Sequence, residues 1–329
     1  MTEPTASPFA SFTESDLRRL FDRQEYVVED DIVVPVLLAL RLGRPLLVEG
    51  EPGSGKTELG TVLADGLETE LVRLQCYEGL AAENTLYEWN YTKQLLSVQA
   101  GERGVTDDSS VFDEEYLLER PLLRALSGDR EQPAVLLIDE VDRADREFEA
   151  LLLEFLSEFQ VTVPELGTIE ASVPPIVLIT SNRTRGLSDA LKRRCLYLHL
   201  EPPSFEKERE IVQRKAPELD GETAAEICGV VQRLREEPLL KQPGIAETLD
   251  WSRALLELRF GTGAEESDAD ESDADETEPD TDTALSPRLI DRTLSCLLKE
   301  AEDVSRIDDD LLEDLARAAR DARERTEGQ

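Results

Sequence analysis

Leu46-Leu47-Val48-Glu49-Gly50-Glu51-Pro52-Gly53-Ser54-Gly55-Lys56-Thr57-Glu58 is the stretch that decides the fold. An apolar run leads directly into Gly-Glu-Pro-Gly-Ser-Gly-Lys-Thr, and a helix-compatible run, Glu58 to Leu67, follows. That is the order strand, phosphate-binding loop, helix. Glycines let the backbone wrap close to a polyphosphate, and consecutive N–H groups converge on its oxygens. The helix N-terminus behind them adds its partial positive charge. Lys56 would reach the β- and γ-phosphates, and the Thr57 hydroxyl would help hold Mg²⁺. Gly50, Glu51, Pro52, Gly53, Ser54, Gly55, Lys56, Thr57 and Glu58 are therefore the candidate nucleotide-binding residues.

Four further segments fit the same chemistry. Val135-Leu-Leu-Ile-Asp139-Glu140 reads as a buried strand ending in two carboxylates. Asp139 would hold Mg²⁺, directly or through water, and Glu140 could polarise an attacking water at the γ-phosphate. The C-terminal end of a parallel strand is where such a sheet offers groups to a nucleotide. Ile176-Val-Leu-Ile-Thr-Ser181-Asn182 is a second such strand, whose Asn182 could sense the γ-phosphate or orient the water; Ser-Asn is also ordinary turn chemistry. Arg193 and Arg194, just before the strand Leu196 to Leu200, could be a solvated face or could supply the permanent planar cation an arginine finger needs. Asp250-Trp251-Ser252-Arg253 is expected to open a helix, with Asp250 or Ser252 as N-cap and Arg253 bending back onto the nucleotide.

Short apolar strands alternate with helices as far as about residue 204, which predicts an α/β fold: a parallel sheet covered by helices on both faces. Residues 1–15 are expected to form a disordered tail, 16–204 the αβα P-loop domain, and 205–329 a small all-α domain. Helical periodicity is read from near Ser15 through Leu42, and another helix from about Asp113 to Leu126. A hairpin is read around Gly167. Residues 77–112 are too polar for a core strand and carry Trp89 and Tyr91, which could meet a partner or pack on their own subunit. The acidic tract at 264–284 cannot bury a core and is expected to be a disordered loop.

The net charge is −37, from 73 acidic against 36 basic residues. Self-repulsion of that size is best tolerated where salt screens it, which suggests adaptation to a salt-rich cytoplasm. It also argues against a nucleic-acid substrate, since phosphate neutralisation dominates such binding. Cys76, Cys195, Cys228 and Cys296 have no metal-type spacing, and the lone His199 lies in a strand-like run. The longest apolar stretch, Ile32 to Leu40, is about half of a membrane span, and the N-terminus lacks the order of a signal peptide. A soluble, cytoplasmic protein without membrane insertion is expected.

Taken together, these segments resemble an AAA+ ATPase. The hairpin before the Asn182 strand is similar to that of the MoxR group. Arg73-Leu-Gln-Cys-Tyr-Glu-Gly, Tyr87-Glu-Trp-Asn-Tyr and Gly244-Ile-Ala-Glu-Thr-Leu-Asp-Trp-Ser-Arg resemble its CoxD-like subgroup, linked to carbon monoxide dehydrogenase maturation. The resemblance covers about residues 15–262, and the acidic tract departs from the family pattern. It implies Walker A roles for Lys56 and Thr57 and Walker B roles for Asp139 and Glu140. Asn182 matches sensor 1, Arg253 sensor 2, and Arg194 the arginine finger, with Arg193 the second choice. It further implies ATP and Mg²⁺ as ligands and a homo-oligomeric ring, usually a hexamer. A von Willebrand factor A domain protein would be the partner, and the activity that of a chaperone remodelling or metal-loading a client metalloenzyme. An AAA+ motor partnering a nuclease shares every one of these residues but needs a basic pore. A non-hydrolysing ATP switch would have no use for Glu140.

Overall fold

A computed structural model of the chain describes residues 7–81, 83–99, 116–127, 132–163, 166–261 and 285–327. The chain divides into two units: residues 1–51 with 55–201, and residues 52–54 with 202–329. The expected acidic loop at 264–284 lies outside the described residues.

The first unit begins with helices α1 (Glu14–Arg23) and α2 (Asp30–Leu42), then β1 (Leu46–Gly50), α3 (Lys56–Gly66) and β2 (Leu71–Gln75). An excursion follows: α4 (Glu83–Leu86), β3 (Tyr87–Trp89), α5 (Tyr91–Gln99), β4 (Leu117–Glu119) and α6 (Pro121–Leu126). The chain returns through β5 (Val135–Asp139), α7 (Arg146–Glu158), the hairpin β6 (Gln160–Val163) and β7 (Gly167–Glu170), β8 (Ile176–Ser181), α8 (Asp189–Arg194) and β9 (Leu196–Leu200). The main sheet has five strands in the order β2-β5-β8-β1-β9, and every pairing in it is parallel.

Burial explains why these runs become strands. In β1 and β5 every residue is buried, as a sheet covered on both faces requires. Alternate residues feed opposite layers. Leu47, Leu136, Ile138, Val177 and Ile179 pack with Leu122, Phe148, Leu152 and Leu191 of the helices on one side. Leu46, Val48, Val135, Leu137 and Leu178 pack on the other with Leu17, Phe21, Val36, Leu59 and Leu63. The register aligns Gln75 with Asp139 and Glu49 with Ser181, so the polar C-terminal ends of β1, β2, β5 and β8 meet at one end of the sheet.

Three local expectations differ from what is observed. The helical stretch from Ser15 to Leu42 is two helices, because Glu25 turns left-handed (φ 54°) between them. The helix expected over 113–126 is only Pro121–Leu126; Leu117–Glu119 instead pairs antiparallel with Tyr87–Trp89. The strand found inside the 77–112 connection stands outside the main sheet, as its polarity suggests, with Trp89 buried and Tyr91 exposed. Of the N-terminal tail expected to be unstructured, residues 7–12 instead form a turn: the Ser7 hydroxyl donates to the Leu40 carbonyl at 2.6 Å, and Phe9 and Phe12 pack on the core.

The second unit is helical among the described residues: α9 (Phe205–Lys215), α10 (Gly221–Arg235), α11 (Ile245–Gly261), α12 (Pro287–Thr293), α13 (Ala301–Val304) and α14 (Asp309–Glu327). Ser204 and Asp220 cap α9 and α10 by accepting the N–H of Lys207 and of Thr223. α10 and α14 pack closely because Gly229 has no side chain: a Cβ there would lie 2.6 Å from the Ala318 carbonyl oxygen. Fully buried Trp251 anchors the core, its indole N–H donating to Thr293 Oγ1 at 2.8 Å. Arg235 makes a forked bond to buried Glu208, which also accepts from Gln232 and Thr248.

Candidate functional site

β1, an interior strand between β8 and β9, delivers the phosphate loop to the C-terminal end of the sheet. Gly55 is left-handed (φ 89°), a conformation costly for any residue with a Cβ, and it turns the chain into α3. Lys56 is buried in the first turn, its ammonium donating to the carbonyls of Gly50 (3.0 Å) and Glu51 (2.6 Å). Burial lowers its pKa from the ordinary lysine value, while the fields of Asp139, Asp142, Glu140 and Glu51 oppose that shift. The Ser54 hydroxyl is buried without a hydrogen-bond partner among the described residues. A polar atom left unpaired in a glycine-rich loop is what a phosphate oxygen would satisfy. Pro52 and Gly53 complete the loop, and Glu58 is exposed on the first turn of α3.

β5 delivers the carboxylates. Asp139 is buried and accepts from Thr57 Oγ1 at 3.0 Å, from Thr180 Oγ1 at 2.5 Å and from Arg73 Nη2 at 2.6 Å. Thr57 and Asp139, predicted as the metal pair, thus stand side by side. Hard oxygen donors of this kind suit Mg²⁺, which commonly takes one or two protein oxygens and completes its shell with phosphates and water. A cationic guanidinium already resting on Asp139 shows that the site accepts positive charge. The residues present fit the ion.

Glu140 is left-handed (φ 54°), a strained conformation for a residue with a side chain. Its N–H donates to Thr180 Oγ1, which in turn donates to Asp139. The side chain is held at both oxygens: Oε1 accepts from Asn182 Nδ2 at 3.2 Å, and Oε2 accepts from Gln75 Nε2 at 3.0 Å. Arg143 Nε also lies 3.0 Å from Oε2.

Asn182 is aimed by its neighbours. Asp142 accepts its backbone N–H at 3.1 Å and both the N–H and hydroxyl of Thr184. Burial alone would raise the Asp142 pKa, but the bonds from Thr184 and Asn182 outweigh it and hold the carboxyl below its ordinary value. Left-handed Arg183 (φ 60°) is tied on the other side to Glu49 (3.0 Å) and the Tyr197 hydroxyl (2.5 Å).

The structure brings Thr57, Asp139, Glu140 and Asn182 into one hydrogen-bonded cluster behind the phosphate loop. Arg193 and Arg194 do not join it. Both are exposed at the end of α8, whose last carbonyls Arg44 clasps, and Arg194 donates to Ser157 Oγ at 3.2 Å. Arg253 belongs to the second unit, exposed and 3.7 Å from Asp250. It does not open a helix as expected. α11 starts at Ile245, where Glu247 accepts the Gly244 N–H, and Ser252 is buried in mid-helix, donating to the Thr248 carbonyl.

Sequence reasoning missed Arg73, Gln75, Thr180 and Asp142 as site residues. Arg73 and Gln75 did carry a signal: they are the polar positions of β2, alternating with buried Val72 and Leu74.

Among the described residues, no group of three or more His, Cys, Asp or Glu could hold a metal, and the four cysteines are free. No described helix is long and apolar enough to cross a membrane.

Residues 45–195 match the family model described as AAA domain (dynein-related subfamily). With the parallel order β2-β5-β8-β1-β9 behind a phosphate loop, the first unit has the AAA+ P-loop fold. An uncharacterized protein of Staphylococcus aureus (strain bovine RF122 / ET3-1) is 24% identical over 223 residues, covering 66% of this chain and 77% of the relative. One of Staphylococcus haemolyticus (strain JCSC1435) is 24% identical over 243 residues, covering 72% and 85%. Among solved structures, the Thermotoga maritima RuvB Holliday junction branch migration motor superposes with a TM-score of 0.42 at 18% identity. It covers 77% of this chain, which spans 64% of the motor, a little under two thirds.

Proposed function

We propose that the protein is a Mg²⁺-dependent ATPase of the MoxR type, a ring-forming chaperone that remodels a client protein or assists its metal loading. The observation that carries the catalytic part is the pairing of Thr57 with Asp139 at 3.0 Å and of Asn182 with Glu140 at 3.2 Å, behind a loop with an unsatisfied Ser54 hydroxyl.

ATP enters with its phosphates against the loop N–H groups and the Lys56 ammonium, which exchanges two backbone carbonyls for phosphate oxygens. Thr57 and Asp139 would hold Mg²⁺, which would supply charge stabilisation at the phosphates. Glu140 accepts a hydrogen bond from the attacking water at Oε2 once that oxygen is released, while Asn182 on Oε1 keeps the carboxylate in line. The outward position of Arg194 on α8 suits action on a neighbouring subunit's ATP, with Arg193 the second candidate. Arg253 would report loss of the γ-phosphate to the helical unit. A von Willebrand factor A domain protein is the proposed partner and a metalloenzyme the proposed client. A net charge of −37 favours a protein target over nucleic acid.

Turnover measured against protein concentration at high salt, for wild type and Arg194→Ala, tests the ring. Specific activity rising with concentration, together with a variant that binds ATP but has lost turnover, supports a site shared between subunits. Activity independent of concentration and of Arg194 overturns it. EDTA should abolish turnover in either case.

A further inference from the structure

We infer that Arg44 is a positioning residue for the arginine finger: it clasps the carbonyl end of α8 and sets the direction in which Arg194 leaves the subunit. This rests on the reading above, in which Arg194 acts on a neighbouring subunit's ATP.

Local structure and topology bring Arg44 to this place. Gly43 is left-handed (φ 58°) and ends α2, with the Arg44 N–H donating to the Ala39 carbonyl at 3.1 Å. Pro45 then leads into β1, and its carbonyl accepts the Leu196 N–H at 2.8 Å where β9 begins beside β1. The residues that join α8 to β9 therefore pass within reach of the Arg44 side chain.

A helix leaves its last four carbonyls without a partner inside it, and α8 has only six residues. The Lys192 carbonyl accepts the Cys195 N–H at 3.3 Å. Arg44 serves the next two. Its Nη2 lies 3.0 Å from the carbonyls of both Arg193 and Arg194, and its Nε donates to that of Arg194 at 3.3 Å. Those two carbonyls belong to the peptide groups on either side of the Arg194 Cα. One planar guanidinium thus fixes both backbone torsions of Arg194, and with them the direction of its Cα–Cβ bond.

The charges point the same way. Lys192, Arg193 and Arg194 already crowd the last turn of α8, and the partial negative charge of the helix C-terminus is what holds a fourth cation there. Among the described residues none of these four cations has a carboxylate partner; Arg194 meets the neutral Ser157 hydroxyl instead. Its charge is left for an anion from outside the subunit, as a finger on a neighbour's triphosphate requires.

The test is phosphate release by the full chain at high salt with Mg²⁺, for single variants and for equimolar mixtures. Arg44→Met should lose turnover by about 10²-fold, the scale of a misplaced catalytic group, with binding of a non-hydrolysable ATP analogue unchanged. Arg44→Lys keeps the charge but cannot span two carbonyls, and should fall between wild type and Arg44→Met. It carries the test if Arg44→Met does not fold. Lys56→Ala subunits cannot use ATP but bring an intact Arg194, so mixing them with Arg44→Met should restore turnover that neither has alone. The mixture of Lys56→Ala with Arg194→Ala is the reference for a finger acting between subunits. If that reference recovers and the Arg44 mixture does not, Arg44 acts within its own subunit and the proposal is overturned. Full turnover in Arg44→Met overturns it as well. If neither mixture recovers, the reading of Arg194 as a finger between subunits fails, and the role of Arg44 fails with it.

Discussion

The Gln75 amide donates to Glu140 at 3.0 Å, so the carboxylate proposed to activate water is tied to a neighbouring strand. Asn182 holds the other carboxylate oxygen. With both oxygens engaged, Glu140 is in a resting pose.

Gln75→Ala should therefore raise basal ATP turnover. A single hydrogen bond is worth about 1 kcal/mol, which corresponds to about a fivefold gain. ATP affinity should change little, since Gln75 does not line the phosphate loop. Phosphate release and nucleotide titration on the same preparation check both. A fall in turnover would mean that Gln75 orients the base for attack.

Asp142 is the keystone of the loop that presents Asn182. Asp142→Asn should cost about 2 kcal/mol of unfolding free energy, since bonds to a charged acceptor are stronger than neutral ones. It should also lower turnover by misaligning Asn182. Urea unfolding and kcat measure the two effects.

Acid should expose the same groups. Burial pushes the Glu149 pKa upward, but bonds from Ser188 and Arg185 outweigh it and hold the carboxyl, like Asp142, below its ordinary value. Carboxylates with depressed folded values stabilise the fold above their ordinary values, 4.5 and 3.8, and lose that contribution as pH falls through the folded ones. Stability of wild type should fall off below about pH 4.5, with a shallower acid limb in Asp142→Asn combined with Glu149→Gln. Parallel acid limbs would show that other groups control the loss.

In the helical unit, Arg235→Ala leaves Glu208 fully buried with Gln232 and Thr248 as its remaining donors among the described residues. Removing one partner of a buried pair typically costs about 3–5 kcal/mol. Replacing both, as Arg235→Met with Glu208→Leu, should recover most of that stability. Thermal unfolding of the single and double variants distinguishes a structural pair from one that binds a ligand.

The α/β architecture and the cluster around Asp139 were legible because the chemistry is local: a strand, then a polar residue at its end. Lys56, Thr57, Asp139, Glu140 and Asn182 all sit where one continuous segment puts them. Arg73, Gln75 and Thr180 were not legible, because their meaning depends on which strands are neighbours. β2 lies beside β5 across 66 positions of sequence between Arg73 and Asp139. Pairing of Leu117–Glu119 with Tyr87–Trp89 likewise overrode a helical reading, since burial of Trp89 outweighs local propensity. The start of α11 was misplaced because Asp250 and Ser252 are common cap residues, while the capping is done by Glu247 on Gly244.

The most direct test of the catalytic assignment is ATP turnover at high salt with Mg²⁺, wild type against Glu140→Gln, with ATP binding measured on both. Loss of a general base should cut turnover by about 10²-fold or more while ATP affinity is retained. Equal turnover in the two proteins would contradict the role given to Glu140 and leave a nucleotide-binding switch in its place.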